Sequence, residues 1–294
     1  MTRFRPFAAG ALAALTVLSL AACSSSDSDE DTTVAPVAAN DELAALVPEE
    51  FRGATLDAVD GDSNPPMYSR DADGNITGIT LDLATAAAEL LGLEISVEAN
   101  SFDASIPGLQ SGKYDLSLWA TDVTEERKQI IDQIPIGKVG YRFLGSASDE
   151  PVGDSMDQLC GKTIAAIAGQ TTVPLLEVES TDCESAGKPA ITVTTFPDQA
   201  SAILAVKSNR ADLATVNSVS GVYISDNDTE LQLTGPIFNQ KFTGIATAKG
   251  NGLGEAFAAA MQELVDNGTY AEIVESYGAD SMLLDSVTLN PPVE

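Results

Sequence analysis

The sequence contains no histidine among its 294 residues and few basic side chains. Without histidine the chain cannot form Ser-His-Asp or Cys-His nucleophile pairs, and it cannot use histidine as a metal ligand. Lys and Arg number 15 against 44 Asp and Glu, which gives a net charge of -29. A surface this acidic repels phosphate backbones and favours a soluble monomer. Most hydrolase mechanisms are therefore excluded, and we expect no binding of nucleic acid.

Apolar runs of membrane length are also missing. The one candidate, 7–20, is too short for a bilayer span, and it follows Arg3 and Arg5 as in a secretion signal. It ends in the residues LAAC at 20–23, which resemble the lipobox of bacterial lipoproteins. The resemblance implies cleavage before Cys23 and attachment of a diacylglyceryl group to its sulfur. The alternative is a plain signal peptide followed by an unrelated cysteine.

This start of the chain predicts an extracytoplasmic protein held to the cell membrane by an N-terminal lipid. We expect 1–22 to be the lipoprotein signal peptide and 23–49 to be a lipid-anchored disordered tether. Within the tether, 24–40 is rich in Ser, Asp, Glu and Thr and contains no aromatic residue.

Cysteine is scarce, with three in the whole chain and no C-x-x-C pair. If Cys23 carries lipid, Cys160 and Cys183 remain, and a location outside the cytoplasm permits a disulfide between them. Closing a loop of that size would contribute roughly 3 kcal/mol. Two free buried thiols are the alternative, and redox catalysis is not expected.

The most informative stretch is 114–127, in which an apolar strand pattern turns polar and then helical. Residues 114–118 predict a strand, and TEER at 124–127 predicts the start of a helix. Ligands of open α/β sheets sit at such strand ends, and Arg127 carries a planar fork suited to a carboxylate. Alternatively, Asp122 and Glu125 form a capping box and Arg127 is a solvated surface residue.

Alternating strand and helix patterns flank this stretch and occur again later in the chain. Units 101–122 and 195–217 each read as strand, helix and strand ending in a polar residue, Asp122 or Asn217. Such alternation predicts mostly parallel sheets, and two units predict two lobes with a cleft between their strand ends. One continuous doubly wound sheet is the alternative. The patterns place strands at 55–59, 93–98, 164–168, 191–195 and 211–216, and helices at 81–91, 102–110, 197–208 and, as a pair, 254–277.

Five segments of the chain resemble one protein family in their order and spacing. They are DGNITGITLDLA at 73–84, SFDASIPGLQSGKYD at 101–115, TEER at 124–127, GKTIA at 161–165 and DNGTY at 266–270. On these segments the chain, over about 52–278, is similar to the solute-binding proteins of bacterial polar amino-acid ABC importers, extracellular solute-binding family 3. Single segments are weakly specific, and the resemblance depends on all of them together.

The resemblance implies a two-lobed α/β fold of the type II periplasmic-binding-protein kind, in which two crossing hinge strands join the lobes. Carried to this chain, the crossings fall near 143–148 and 241–246. Lobe 1 is then 50–143 together with 246–294, and lobe 2 is 147–241.

The resemblance also assigns positions in a cleft between the lobes. Arg127 corresponds to the arginine that holds the ligand α-carboxylate, and Thr171 to the hydroxyl of lobe 2 that meets the same carboxylate. Phe102 corresponds to the aromatic residue that packs on the ligand side chain. Trp119 and Ala120 line the pocket floor.

Three positions depart from the family pattern. Asn217 stands where an aspartate commonly pairs the ligand ammonium, and an amide cannot supply that charge. Asp122 brings a carboxylate to a position usually held by Thr or Ser, so it can replace the missing counter-charge or serve a cationic side chain. Asn64 stands in place of a frequent aromatic lid. We therefore expect an amino acid or a related amine-bearing solute such as an opine.

The implied function is delivery of that solute to the permease of an ABC importer, with no enzyme activity, cofactor or metal. Two alternatives stay open. One is a dehydratase-like enzyme on the same fold, for which Asp122 and Glu177 supply candidate carboxylates. The other is a sensory solute-binding module, which differs from a transport receptor only in its partner.

Overall fold

The computed structural model describes residues 38–293, which lie within one compact unit, 34–294. The predicted signal peptide, Cys23 and the first part of the tether lie outside the described residues. Eleven strands and eight α-helices are present between 38 and 293. The helices are α1 Asp41–Ala44, α2 Ile79–Leu90, α3 Phe102–Ser111, α4 Thr172–Ser185, α5 Gln199–Lys207, α6 Ser218–Asn227, α7 Leu253–Asn267 and α8 Thr269–Ser276. The strands are β1 Thr55–Asp60, β2 Ser63–Asn64, β3 Tyr68–Arg70, β4 Ile76–Thr77, β5 Glu94–Ala99, β6 Leu116–Asp122, β7 Ile131–Ser146, β8 Thr163–Ile167, β9 Thr192–Phe196, β10 Leu213–Asn217 and β11 Leu231–Ala248.

The main sheet has eight strands in the order β5-β1-β6-β11-β7-β10-β8-β9. At one end β1 pairs in parallel with β5 and β6, and at the other end β8 pairs in parallel with β9 and β10. Each parallel group contains one of the strand–helix–strand units predicted from the sequence, β5-α3-β6 in the first and β9-α5-β10 in the second. A small antiparallel sheet, β2-β3-β4, is formed by the residues that follow β1 in the chain.

Two long antiparallel strands, β7 and β11, connect the parallel groups. β11 pairs with β6 through Thr243–Thr247, and β7 pairs with β10 through Tyr141–Gly145. The register between β7 and β11 shifts on both sides of Phe238, and Asn239 has a positive φ of 51°. This is the predicted two-lobed α/β fold, in which two long strands pass between the lobes.

Both long strands gain a further partner part of the way along their length. β7 and β11 pair with each other from end to end, and β7 also pairs with β10 over Tyr141–Gly145. β11 also pairs with β6 from Thr243 onward. The two crossings predicted near 143–148 and 241–246 lie on these two long strands.

The core is divided in the same way. The largest cluster packs α2, α7 and α8 on β1 and β6 and includes Leu83, Phe257 and Tyr270. Two smaller clusters lie on the second group of strands. One packs α5 and α6 on these strands, and the other packs α4 on them and includes Phe143 and Leu176. Each parallel group therefore has its own apolar layer.

The helix predicted to start at 124 is absent. Thr124 Oγ1 accepts a hydrogen bond from Arg127 N at 3.1 Å, and a short 3-10 turn, Arg127–Gln129, leads directly into β7. The capping-box interpretation is also wrong, because the Asp122 carboxylate bonds to Tyr141 and Thr171 instead of to a helix start. The buried β-ladder of β7 overrides the local helix signal.

The segment before β1 is more ordered than a tether. Asn40 caps α1 through bonds from Glu42 N at 3.0 Å and Leu43 N at 3.3 Å, and Val47 is buried in the core. The predicted disordered segment 23–49 therefore has an ordered end from 40 onward, since Val47 supplies an apolar anchor that composition alone does not reveal.

Cys160 and Cys183 form a disulfide with a Cα–Cα distance of 5.6 Å, so the alternative of two free thiols is wrong. The bond joins the start of the second group of strands to α4. In the part of the chain that the structure describes, no helix combines the length and apolar character needed to cross a bilayer.

Candidate functional site

A pocket of about 480 Å³, counting the part open to solvent, lies where β6, β7, β10 and β11 meet. All eight residues predicted to bind ligand line it: Asn64, Phe102, Trp119, Ala120, Asp122, Arg127, Thr171 and Asn217. These residues come from both groups of strands, which the sheet order separates. The structure therefore brings the predicted set together in one place.

Asp122 is the last residue of β6 and its carboxylate is almost fully buried. The Tyr141 hydroxyl lies 3.2 Å from each carboxylate oxygen, and the Thr171 hydroxyl donates to Oδ2. Burial raises the pKa of Asp122, while the hydrogen bond from Thr171 and the charges of Arg127 and Lys241 lower it. The group is thus a buried carboxyl held by hydroxyls from both sides of the cleft.

Arg127 follows from the short turn after β6 and extends into the same pocket. Its Nη1 donates to the Asp122 carbonyl at 3.0 Å and its Nη2 to the Gly169 carbonyl at 3.1 Å. The guanidinium carbon lies 5.4 Å from the centre of the Phe102 ring. Burial lowers the pKa of Arg127 and the Asp122 charge opposes this. A guanidinium has five N–H donors, so these two bonds leave donors for a carboxylate.

Thr171 connects the site to the second long strand. Its hydroxyl donates to Asp122 and accepts a hydrogen bond from Asn239 Nδ2 at 2.8 Å. Asn239 is the residue of β11 with positive φ, and Tyr141 stands at the matching part of β7. The Asp122 carboxylate is therefore bonded, directly or through Thr171, to both strands that pass between the lobes.

Three aromatic rings form one wall of the pocket. Tyr68 and Trp119 have ring centres 4.9 Å apart, and Phe102 meets Trp119 edge to face at 5.3 Å. The position of Phe102 in this wall is compatible with its predicted packing on a ligand side chain. The side chain of Ala120 contributes little to the wall. The Ala120 carbonyl accepts a bond from the Thr243 hydroxyl, which fixes β6 against β11.

Asn217 lies in the pocket and is also the N-cap residue of α6. Its Oδ1 accepts from Ser220 N at 2.8 Å and its Nδ2 donates to Ser220 Oγ at 3.1 Å, so it caps α6. The sequence analysis treated this residue only as a replaced ammonium partner. An asparagine just before a helix is also a favoured N-cap, and that signal was available.

Seven further residues line the pocket that sequence reasoning did not select: Met67, Tyr68, Val139, Tyr141, Gln170, Gln199 and Thr243. Tyr141 and Thr243 lie within long strands, where no local motif distinguishes them. Gln170 is adjacent to Thr171 and could have been included on that ground.

A second, more open groove of about 1030 Å³ adjoins the pocket. It shares Phe102, Arg127, Gln170 and Thr171 with the pocket and continues outward past Ile106 and Pro174. Arg127 therefore lines both the pocket and the solvent-facing groove.

Comparisons with known proteins agree with this geometry. Residues 58–280 match the model of the bacterial extracellular solute-binding proteins, family 3. The arginine-binding protein ArgT of Corynebacterium glutamicum is 30% identical over 85% of this chain and 83% of its own length. The L-cystine-binding protein TcyJ of Escherichia coli is 27% identical over 78% of this chain and 84% of its own length.

Solved structures show the same similarity. An ancestral arginine-binding protein bound to glutamine superimposes with a TM-score of 0.70 at 28% identity, covering 78% of this chain and 99% of that protein. The ancestral amino acid-binding protein AncCDT-1, a precursor of cyclohexadienyl dehydratase, gives 0.66 at 25% identity, covering 80% and 99%. With the family match spanning most of the chain and the two-lobed fold in place, this protein belongs to the bacterial extracellular solute-binding proteins, family 3.

Proposed function

We propose that this protein is the substrate-binding lipoprotein of an ABC importer, which takes up an amino acid or a related amine-bearing carboxylate. One observation carries the choice of ligand. Among the described residues that line the pocket, Asp122 is the only acidic and Arg127 the only basic side chain. One anion and one cation in a single enclosed pocket match the two charges of a zwitterion.

In this proposal Arg127 holds the ligand carboxylate and Asp122 holds the ammonium. A bidentate guanidinium–carboxylate pair contributes roughly 1.5–3 kcal/mol. An ammonium left without a counter-charge in a closed cleft would cost several kcal/mol. Asn217 cannot supply that charge and already caps α6, so the counter-charge comes from Asp122. Thr171 adds a hydroxyl from lobe 2, and Phe102, Trp119, Ala120 and Asn64 complete the walls.

We place the lobe boundary at 139–141 and 238–241, where the register between β7 and β11 shifts, next to the points at which β7 gains β10 and β11 gains β6 as a further partner. Closure about these strands would bring Thr171 and Gly169 onto Asp122 and Arg127, which are the contacts present here. Lobe 1 would then contain 50–138 and 242–293, a small shift from the boundaries expected from the resemblance. Delivery to the permease would require the opposite, open arrangement.

The lipid anchor is proposed from the lipobox-like residues before Cys23 and from the extracellular family. It predicts that a Cys23→Ser chain, expressed in a bacterium that processes lipoproteins, is released from membranes while the unmodified sequence is retained. If both proteins were found in the membrane and soluble fractions in equal proportion, the proposed lipid anchor would be wrong, and the proposed binding site would be unaffected.

Calorimetric titration with a panel of amino acids tests the site. Arg127→Ala should abolish binding, and Asp122→Asn should lose amine-bearing ligands selectively. Because burial raises the pKa of Asp122, binding of amines should also weaken as pH falls and the carboxylate takes up a proton, whereas the Asp122→Asn variant should lack this dependence.

Arg210→Ala and Asp73→Asn are matched controls, because both side chains are exposed and lie outside the pocket. Unchanged affinity in both pocket variants would remove the assignment. Mass spectrometry of solutes incubated with the protein tests whether it is an enzyme. The test is warranted because the similar protein AncCDT-1 is the precursor of a dehydratase. Conversion of a solute would favour an enzyme over a transport receptor.

A further inference from the structure

Two buried polar atoms of the pocket wall have no hydrogen-bond partner. Asn64 Oδ1 is an acceptor and Trp119 Nε1 is a donor, and both residues are at least 97% buried. A buried polar atom without a partner costs about 1–3 kcal/mol, and a ligand in the pocket can supply the partner that the protein does not. Both residues line the pocket, which points to the ligand as the missing partner.

No charged group is left for a ligand side chain. If Asp122 and Arg127 hold the α-ammonium and α-carboxylate, the other residues of the described lining are uncharged. Asp60 is fully buried and does not line the pocket. Its carboxylate already accepts a bond from Gly61 N at 2.7 Å and lies 2.7 Å from Thr80 Oγ1. A cationic side chain held within the pocket would therefore find no further counter-charge among the described lining residues.

The rings close the same side of the pocket. A Cβ placed on Gly61 would lie 2.4 Å from Tyr68 Cε2 and 3.0 Å from Trp119 Cη2, so both rings pack against the chain at Gly61. Phe102 contacts Trp119 from the other side. The rings of Tyr68, Phe102 and Trp119 thus pack into one wall against Gly61, and the unpartnered Trp119 Nε1 belongs to that wall.

We propose that the pocket selects amino acids with an uncharged side chain that both donates and accepts a hydrogen bond. Amide and hydroxyl side chains do this: the donor serves Asn64 Oδ1 and the acceptor serves Trp119 Nε1. The inference rests on the proposed function and narrows it to serine, threonine, asparagine and glutamine. It separates this chain from the relatives named for arginine, whose ligand carries a cationic side chain.

Thermal shift and calorimetry on the unaltered protein provide the first test, with glutamine, asparagine, serine, threonine, arginine, lysine, glutamate and alanine as probes. At least one amide or hydroxyl amino acid should bind tenfold or more tightly than arginine, lysine, glutamate and alanine. Tighter binding of arginine, lysine, glutamate or alanine would overturn the inference and leave the proposed function standing. Absence of binding for the whole panel would overturn both.

Two variants then test the atoms themselves. Asn64→Leu and Trp119→Phe remove the acceptor and the donor while keeping an apolar or aromatic group of comparable shape. Each should weaken the preferred ligand tenfold or more and reduce its preference over alanine. Ser117→Ala is the matched control, because Ser117 Oγ is also buried and unpartnered on β6 but lies outside the pocket.

An unchanged preference over alanine in both folded variants would overturn the assignment of these atoms to the ligand. Folding of each variant is checked by its cooperative thermal transition. The ligand panel on the unaltered protein decides the side-chain class independently if a variant does not fold.

Discussion

Asp60 is a carboxyl group that the fold keeps away from water beside the binding site. It ends β1, is fully buried, and lies behind Tyr68. Thr80 Oγ1 lies 2.7 Å from Asp60 Oδ2 and 2.9 Å from the Met67 carbonyl oxygen. Burial raises the pKa of Asp60 to about 8, against the hydrogen bonds from Thr80 and Gly61. The group is therefore mostly protonated at neutral pH.

This pKa has a direct consequence for stability. An aspartate in the unfolded chain ionises near pH 4, whereas Asp60 in the folded chain keeps its proton until about pH 8. Between these values the folded state binds the extra proton, so the stability contributed by Asp60 is lost as pH rises, by about 1.4 kcal/mol per pH unit. Asp60→Asn should remove that loss.

Urea unfolding at pH 5, 6, 7 and 8 measures the effect as a difference between the variant and the unaltered protein. The advantage of Asp60→Asn should grow steadily with pH, and its amide N–H can donate to the Thr80 hydroxyl. Asp226→Asn, on the exposed face of α6, serves as the control for the loss of one aspartate. If the free energy of unfolding changed with pH in the same way in Asp60→Asn and in the unaltered protein, Asp60 would not be a buried, protonated group.

The residues that could be predicted from the sequence are those tied to local motifs. Asp122 ends β6, Arg127 and Thr171 follow strand ends, and all three lie in the pocket, at the kind of position where α/β proteins bind ligands. Tyr141 was missed because it lies inside a long strand, and its place beside Asp122 depends on how distant strands pair. Pairing of that kind is a tertiary property without a local signal.

At the level of elements, the alternation of strands and helices was predictable, while the link between lobes was not. Helix α3 ends at a left-handed Gly112 and α5 is followed by Asn209 with a positive φ, as the breakers in the sequence indicate. The segment 124–129 looks helical locally, yet it forms only a 3-10 turn before β7. Burial of a sixteen-residue strand outweighs the propensity of one short polar segment.

The contact between β7 and β11 requires glycine at one position. A Cβ on Gly244 would lie 2.1 Å from the Ile134 carbonyl oxygen and 2.9 Å from Pro135 Cα, both of them backbone atoms. Gly244 also pairs with Thr121 of β6, so the strand cannot move away without opening the sheet. Gly244→Ala should lower the free energy of unfolding by about 2 kcal/mol or more.

Gly140→Ala on the neighbouring strand is the comparison. There the closest atoms are Ile237 Cγ2 at 2.5 Å and Gln240 Cγ at 2.8 Å, which belong to side chains that can rotate. Chemical denaturation should therefore show a clearly smaller loss for Gly140→Ala than for Gly244→Ala. The reverse order would mean that the two strands are not held at the separation described.

At the level of the whole molecule, the pocket combines polar groups from both lobes. The acidic and basic groups of the pocket both lie at the end of β6, whereas Thr171 and Gly169 approach from the loop after β8. The hydrogen bonds from Tyr141 on β7 and, through Thr171, from Asn239 on β11 link the Asp122 carboxylate to the strands that pass between the lobes.

Binding should also stabilise the molecule as a whole. A ligand that binds only the folded state adds about 2.7 kcal/mol at one hundred times its dissociation constant. The effect requires no knowledge of the permease, and it separates true ligands from the rest of a solute panel. Composition could not predict the ligand, because the pocket is a small part of a strongly acidic surface.

Trp119 is the single tryptophan of the chain and lies in the pocket wall, so its fluorescence reports on this site alone. The most direct measurement is a titration of that emission with the amino acid that gives the largest thermal shift, in the unaltered protein and in Arg127→Ala. We expect a saturable change in the unaltered protein and none in the variant. A saturable change of equal midpoint in both proteins would show that the guanidinium does not hold the ligand.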